Sequence, residues 1–189
     1  MTNTAGRAPR ILARCAQVAL AAAAVADAFR AVAVRDHYLH PTVASLHRSG
    51  SVSMIFFDLM ALAIVLFLVW LARSRSTVQQ LSPEAPVPSR GWTIGAWFIP
   101  VVNLFVPRRL VLDIGRASSP SWERKRGTTL VNLWWAAWVA HAAVLLVAGR
   151  VAPGSMAVLV VAEALMLAAA VLLGLVIERV TAALPGRPS

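Results

Sequence analysis

Five ionisable residues lie inside otherwise apolar stretches of this chain, and they are the residues best placed to do chemistry. They are Asp27, Arg30, Asp58, His141 and Glu163. Ionisable side chains are costly in hydrocarbon, so in apolar helices they usually face a protein interior or a water-filled cavity. Such groups serve either as interhelical contacts or as sites for protons and solutes.

These polar groups are predicted to share one depth. Four of them are each seven or eight residues from the residue at which their apolar block meets the predicted outer surface, in the topology derived below. The distances along the chain are Asp27 to Val34, Asp58 to Ser51, His141 to Gly149 and Glu163 to Ser155. At 1.5 Å per residue this places them roughly 10–12 Å below the outer surface. Arg30 is one helical turn from Asp27 and can pair with it. The sequence thus predicts an outer-half polar cluster, either a structural layer or a wet cavity that responds to protons or solutes.

Signatures of catalysis are absent from the sequence. It contains no HExxH, GxSxG or CxxC motif and no phosphate-binding glycine loop. The predicted external loop contains His37, His40 and His47 with Asp36, and His37 and His40 at i,i+3 could share a metal. Solvated loop histidines are the favoured interpretation. We therefore expect a non-enzymatic protein without catalytic, cofactor-binding or metal-binding residues.

The composition indicates an integral membrane protein. Of the 189 residues, 59% are hydrophobic and only 14% are charged, and the mean hydropathy is +0.70. A soluble domain is nearer to half apolar and a quarter charged. Each of four apolar blocks is near the ~20 residues that a helix needs to cross a bilayer, and helices satisfy their own backbone there. We predict an all-α protein with four transmembrane helices at residues 11–34, 52–72, 129–148 and 155–177.

The first block has a second interpretation. Arg7, Arg10 and Arg14 form a basic N-terminal region as in a signal peptide, and residues 24–26 read Ala-Val-Ala, which resembles a cleavage site. However, the apolar character continues to Val34, which gives a full-length span. Retention is favoured, and cleavage stays open.

The basic residues predict the orientation. Fourteen of the 18 Lys and Arg residues lie in the N-terminus, the 73–127 connection or the C-terminus. The positive-inside rule then places these parts in the cytoplasm, for a protein of the inner (plasma) membrane. No nucleic-acid-binding pattern accompanies the bases. The predicted cytoplasmic segments are a tail at 1–10, a Pro-rich linker at 73–90, a motif at 91–118, a basic turn at 119–128 and a tail at 178–189; the external loops are 35–51 and 149–154.

Residues 91–118 form an apolar segment that prolines interrupt. Pro100 ends or kinks any helix that enters the segment, and Asn103 can bond the backbone groups that this break leaves free. Pro107 suits the first turn of a new helix, predicted over 107–117. We expect a broken segment, either re-entrant or lying at the interface.

The predicted 107–117 helix is amphipathic. Asp113 falls four residues after Arg109 and three before Arg116, within reach of both.

This segment and the third span together carry a family resemblance. The residues that carry it are Trp97, Phe98, Pro100, Asn103, Pro107, Asp113, Arg116, Ala117, Ser118, Trp134, Trp135 and Trp138. They resemble the bacterial membrane-protein family called domain of unknown function 4328, from about Asp27 onward. The resemblance implies four transmembrane helices with the motif between the second and third. It implies no activity.

Two functions remain open from the sequence. The favoured one is a scaffold or sensor whose basic cytoplasmic connection contacts anionic lipid headgroups or a protein partner. The alternative is a small transporter or permeation subunit that uses the outer-half polar cluster. Only one broken segment is present, where transporters often carry a matching pair, and this favours the first.

Overall fold

The computed structural model describes residues 4–81, 89–95, 97, 99, 102, 105–119, 121–123, 126–152 and 154–184. Every regular element in these ranges is a helix. The helices are α1 (Thr4–Leu39), α2 (Val43–Leu81), α3 (Arg90–Gly95), α4 (Val106–Ser118), α5 (Gly127–Val151) and α6 (Met156–Ala183). Four of them, α1, α2, α5 and α6, are long and apolar enough to cross a membrane.

The long helices extend past the apolar blocks from which they were predicted. Residues 35–51 were expected to form a loop, but α1 continues to Leu39 and α2 starts at Val43, so only residues 40–42 join them. Likewise, α2 continues to Leu81, well into the expected linker. The hydropathy of a sequence shows which part of a helix is apolar enough to lie in hydrocarbon. The residue at which the helix ends depends on capping instead, so a helix can extend beyond its apolar block.

Such a cap begins α2. The Ser45 N–H donates to Thr42 Oγ1 at 3.0 Å, and the Thr42 N–H donates to Ser45 Oγ at 3.0 Å. This reciprocal pair is a capping box with serine in the third helical position. His37 Nδ1 also lies 2.8 Å from Ser45 Oγ, which ties the end of α1 to the start of α2.

Helix α1 is the centre of the packing. It packs along α2 and against α6, and α5 in turn packs against α6. In the described residues, α2 and α5 have at most marginal backbone contact with each other. The face of α1 that makes these contacts is built from buried alanines: Ala13, Ala16, Ala19, Ala23, Ala24, Ala26 and Ala33. Small side chains let membrane helices approach closely.

Polar bonds fasten α6 to its neighbours toward the ends of α1 and α2 that lie nearer to α4. Gln17 Nε2 on α1 donates to the Gly174 carbonyl at 2.9 Å. The buried Trp70 Nε1 on α2 donates to Thr181 Oγ1 at 3.0 Å. Bonds of this kind fix helix register where apolar packing alone would allow sliding.

The short amphipathic helix α4 joins the ends of three spans. Leu110, Val111 and Ile114 are at most 1% exposed, and α4 packs against α2, α5 and α6. Arg108 Nε also donates to Asn132 Oδ1 of α5 at 2.9 Å. The predicted helix and its first-turn Pro107 are confirmed. Its apolar face is covered by protein, so α4 does not lie with that face in lipid as an interfacial helix would.

The break predicted before α4 falls largely outside the described residues. Phe98, Pro100 and Asn103 are all outside the described residues, so their expected roles stay predictions. In the described part, α3 ends at Gly95 and α4 begins at Val106.

We expect labelling from outside intact cells to reach the 40–42 connection but not the α2–α3 connection, because most bases lie on the latter side. A cysteine at position 45 would react poorly with a labelling reagent because Ser45 is only 6% exposed, whereas Leu46 is 56% exposed. With Cys15 replaced by alanine, an impermeant maleimide should modify Leu46→Cys and leave Ser89→Cys unmodified. Modification of Ser89→Cys in sealed cells would show that the chain has the opposite orientation to the predicted one.

Candidate functional site

The polar cluster predicted from the sequence centres on an ion pair within α1. Arg30 Nε and Nη2 donate to Asp27 Oδ1 at 2.7 and 2.5 Å. Asp27 is 1% exposed, so its charge is compensated by Arg30 rather than by solvent. The Arg30 guanidinium also lies over the Phe56 ring of α2, 4.7 Å from its centroid, which is a cation–π geometry. The predicted Asp27–Arg30 pairing is confirmed.

Glu163 of α6 belongs to the same cluster and faces a cavity. The cavity has a volume of about 280 Å³ and lies between α1, α5 and α6. Glu163 and Arg30 both line it, and Asp27 and Arg30 are the charges that act on the Glu163 carboxyl. Glu163 is 9% exposed, and its Oε2 has no hydrogen-bond partner in the part of the chain that the structure describes.

The other end of this cavity is shaped by a turn. Arg35 Nε donates to the Gly154 carbonyl at 3.1 Å, and the Tyr38 ring packs where a Cβ on Gly154 would stand. Gly154 has a φ of 78°, in the region that favours glycine. Arg35 and Tyr38 therefore line the cavity beside a turn that only glycine fits easily.

His141 of α5 lies beside the cluster rather than in its centre. Its Nδ1 is 2.8 Å from the carbonyl of Ala162, the residue before Glu163. A carbonyl only accepts hydrogen bonds, so Nδ1 must carry the proton. His141 thereby ties α5 to α6 at this level.

Asp58 is not part of the cluster, and its predicted convergence with the other four residues is wrong. Its side chain is exposed, on the face of α2 opposite the buried Phe56. Side chains two positions apart on a helix point in directions about 200° apart. A shared depth therefore does not by itself bring side chains from different helices together. The sequence position of Asp58 determines its depth along α2 but not the direction in which its side chain points around the helix axis.

The cluster therefore combines two acids with one paired base. Arg30 compensates Asp27 directly, which leaves the second acid, Glu163, at the cavity wall with an unused oxygen. Among the described residues no group of three His, Cys, Asp or Glu side chains could hold a metal ion. What the geometry supports chemically is the binding of a proton or of a small positively charged group at Glu163.

The motif residues at the other end of the bundle occupy different environments. Trp97 packs edge-on against Phe67 of α2, with centroids 5.2 Å apart. Burial raises the pKa of the Asp113 carboxyl, and the charges of Arg109 and Arg116 oppose that shift. Arg116 Nε donates to Glu123 Oε1 at 2.9 Å, so its hydrogen-bonded partner is one that the spacing argument did not propose.

Sequence reasoning missed the turn between α4 and α5. Trp122 is 2% exposed, and its ring occupies the space that a Cβ on Gly115 or Gly127 would need. Glu123 accepts from Thr128 Oγ1 at 2.7 Å, and this bond, followed by Arg116, lowers the pKa of the Glu123 carboxyl. The two glycines flanking a tryptophan were the available signal.

The fold and this pair of sites define an all-helical protein with four helices suited to crossing a membrane. A family model matches residues 35–182, which is most of the chain. The chain belongs to the family described as Domain of unknown function (DUF4328). No curated protein and no solved structure matches it.

We expect Asp27→Asn to destabilise the protein, because it leaves Arg30 without its carboxylate partner. Removing one member of a buried ion pair typically costs about 3–5 kcal/mol. Asp58→Asn is the matched control, since Asp58 is exposed, and it should change stability by less than about 0.5 kcal/mol. Thermal unfolding of both variants in one detergent measures the difference; equal midpoints would contradict a role for the pair.

Proposed function

We propose that this protein is a non-enzymatic, multi-pass membrane protein that acts as a scaffold or sensor through its basic cytoplasmic connection. The partner that we propose for this connection is the anionic headgroup layer of the cytoplasmic leaflet. The observation that carries the proposal is α4, which exposes Arg109 and Arg116 while its opposite face is buried.

The packing of α4 supports a fixed position for those arginines along the bundle. Its buried residues share one hydrophobic core with Val78 near the end of α2, Val131 near the start of α5 and Val180 near the end of α6. These are the ends of the spans, where a bilayer has its headgroups. A helix that is held on three spans presents its charges without first having to fold on the lipid surface.

The chemistry of the exposed groups favours binding. Arginine stays protonated at all physiological pH values, so it cannot act as a general base, but its guanidinium matches phosphate geometry. Each base near an anionic surface contributes about 1 kcal/mol, and salt screens this attraction. Several such residues together give a preference for anionic over zwitterionic lipid.

We expect the double variant Arg109→Gln, Arg116→Gln to lose much of its preference for phosphatidylglycerol over phosphatidylcholine. At about 1 kcal/mol per base the loss is roughly fivefold for each arginine. Native mass spectrometry of the purified protein in mixed lipid–detergent micelles counts the lipids retained. Arg48→Gln, exposed at the other end of the molecule, is the control and should keep the preference. Equal retention by the double variant would contradict the proposal.

The cavity at Glu163 favours a second candidate function, a small transporter or permeation subunit. An acid that is 9% exposed and has an oxygen without a partner, at the wall of a 280 Å³ cavity, is suited to taking up a proton or a small cationic solute. The turn at Gly154 lies at the other end of that cavity, beside Arg35 and Tyr38.

This second candidate predicts a proton flux that depends on Glu163. In proteoliposomes with an imposed pH gradient, the wild-type protein should dissipate the gradient and Glu163→Gln should not. Asp58→Asn, which changes an acid outside the cluster, should behave as wild type. Gradients that persist equally with wild-type and empty vesicles would exclude proton permeation.

A further inference from the structure

A second cavity lies on the side of the bundle where α2 and α5 stand apart. Its volume is about 370 Å³, within the range of about 300–1,000 Å³ that is usual for small-molecule sites. Its wall comes from α1, α2, α5 and α6 together with Trp97. We call this cavity the α2/α5 cleft.

The lining of the α2/α5 cleft is apolar. Apart from the tryptophan indoles, its described wall consists of Ala, Leu, Ile, Met and Phe side chains. Trp135 is stacked on Trp138 with centroids 5.0 Å apart, and Trp134 meets Trp135 edge-on at 5.4 Å. Met60 and Met166 add flexible side chains that adapt to an irregular guest. Such a wall suits a hydrocarbon chain.

The α2/α5 cleft opens sideways. Ile64 on α2 lines it and is 46% exposed, whereas Phe67, one turn further along the same wall, is 7% exposed. No extensive backbone contact between α2 and α5 closes this side in the described residues, and α4 joins both helices at one end. For a protein that sits in a bilayer, a sideways opening between two spans faces the lipid chains.

One polar atom borders the cleft wall without a partner. Trp97 Nε1 is buried and has no hydrogen-bond acceptor in the described structure. An indole nitrogen can only donate, and a buried donor that stays unpaired costs about 1–3 kcal/mol. The Trp97 ring lines the cleft, but its Nε1 is enclosed by protein. A shift of the indole toward the carbonyl oxygen of a guest would remove that cost, which a plain hydrocarbon would not.

We propose that the α2/α5 cleft binds one acyl chain of a phospholipid from the leaflet on the α4 side, with an ester carbonyl accepting the Trp97 Nε1 hydrogen. This inference rests on the proposed function and deepens it. The arginines of α4 contact the headgroup, and the cleft holds the chain that extends from the same lipid. Trp97 lines the cleft beside Phe67 and precedes α4 in the chain.

The test uses the full-length protein in nanodiscs that contain phosphatidylglycerol or phosphatidylcholine with the same diazirine-bearing acyl chain. After illumination, peptide mass spectrometry locates and quantifies the label. Ala170→Phe fills the cleft, because Ala170 lines it. Ala168→Phe is the matched control, since Ala168 is exposed on the other side of the same helix. Thermal unfolding shows whether both variants are folded.

We expect label on Met60 and Met166 in the wild type and in Ala168→Phe, and a loss of at least several-fold in Ala170→Phe. Trp97→Phe, which keeps the ring but removes the donor, should lower the labelling about fivefold, as for one hydrogen bond of ordinary strength. If Ala170→Phe does not fold, the Trp97→Phe result and the position of the wild-type label decide. Label confined to the outward faces of the helices overturns the proposal, as does equal labelling of the two alanine variants. If a segment of the protein itself fills the cleft, both methionines stay unlabelled, and that result also overturns the proposal.

The headgroup comparison separates this proposal from the proposed function. If phosphatidylglycerol and phosphatidylcholine label the cleft equally, the chain site stands and the anionic preference fails. If the preference for phosphatidylglycerol persists while Ala170→Phe leaves the amount of label in the cleft unchanged, the headgroup contact stands and the proposed acyl-chain site fails.

Discussion

Close packing along the alanine face of α1 is the contact on which the rest of the structure depends. In a bilayer the hydrophobic effect does not draw apolar helices together, because lipid chains are as apolar as leucine; dispersion contacts and hydrogen bonds have to do so. Alanines that are 0–9% exposed on α1 let α2 and α6 approach it from two sides. The polar bonds from Gln17 to Gly174 and from Trp70 to Thr181 then set the register.

That central position of α1 has two consequences. Asp27 lies in the packed seam beside Ala23 and Ala26, so its charge needs a partner on the same helix, and Arg30 one turn away supplies it. Helices α2 and α6 both pack on α1. Among the four long helices α5 packs extensively only on α6, so α2 and α5 remain apart in the described residues. The resulting opening is held by α4, whose buried face contacts α2, α5 and α6.

Part of this arrangement could be predicted from the sequence. Hydropathy located four spans, the i,i+3 spacing gave the Asp27–Arg30 pair, and Pro107 marked the start of α4. The direction of Asp58 could not be predicted, because the apolar residues surround α2 and give it no strong amphipathic face. The α2/α5 cleft could not be predicted either, because it depends on which helices fail to pack against each other. The burial of Trp122 depends on two glycines that are 12 residues apart and meet only after α4 has docked.

Helix α6 separates the two cavities and explains how both exist in so small a bundle. Glu163 and Met166 are one turn apart on α6, yet Glu163 lines one cavity together with Arg30, and Met166 lines the apolar cleft with Trp134. A charged wall and a hydrocarbon wall can be this close because Arg30 compensates Asp27 and is itself covered by Phe56. The bonded Asp27–Arg30 pair and the His141 bond to the Ala162 carbonyl hold the polar groups at one level. One helix thus presents a polar surface toward α1 near Arg30 and an apolar surface beyond it, and the polarity changes within a single turn.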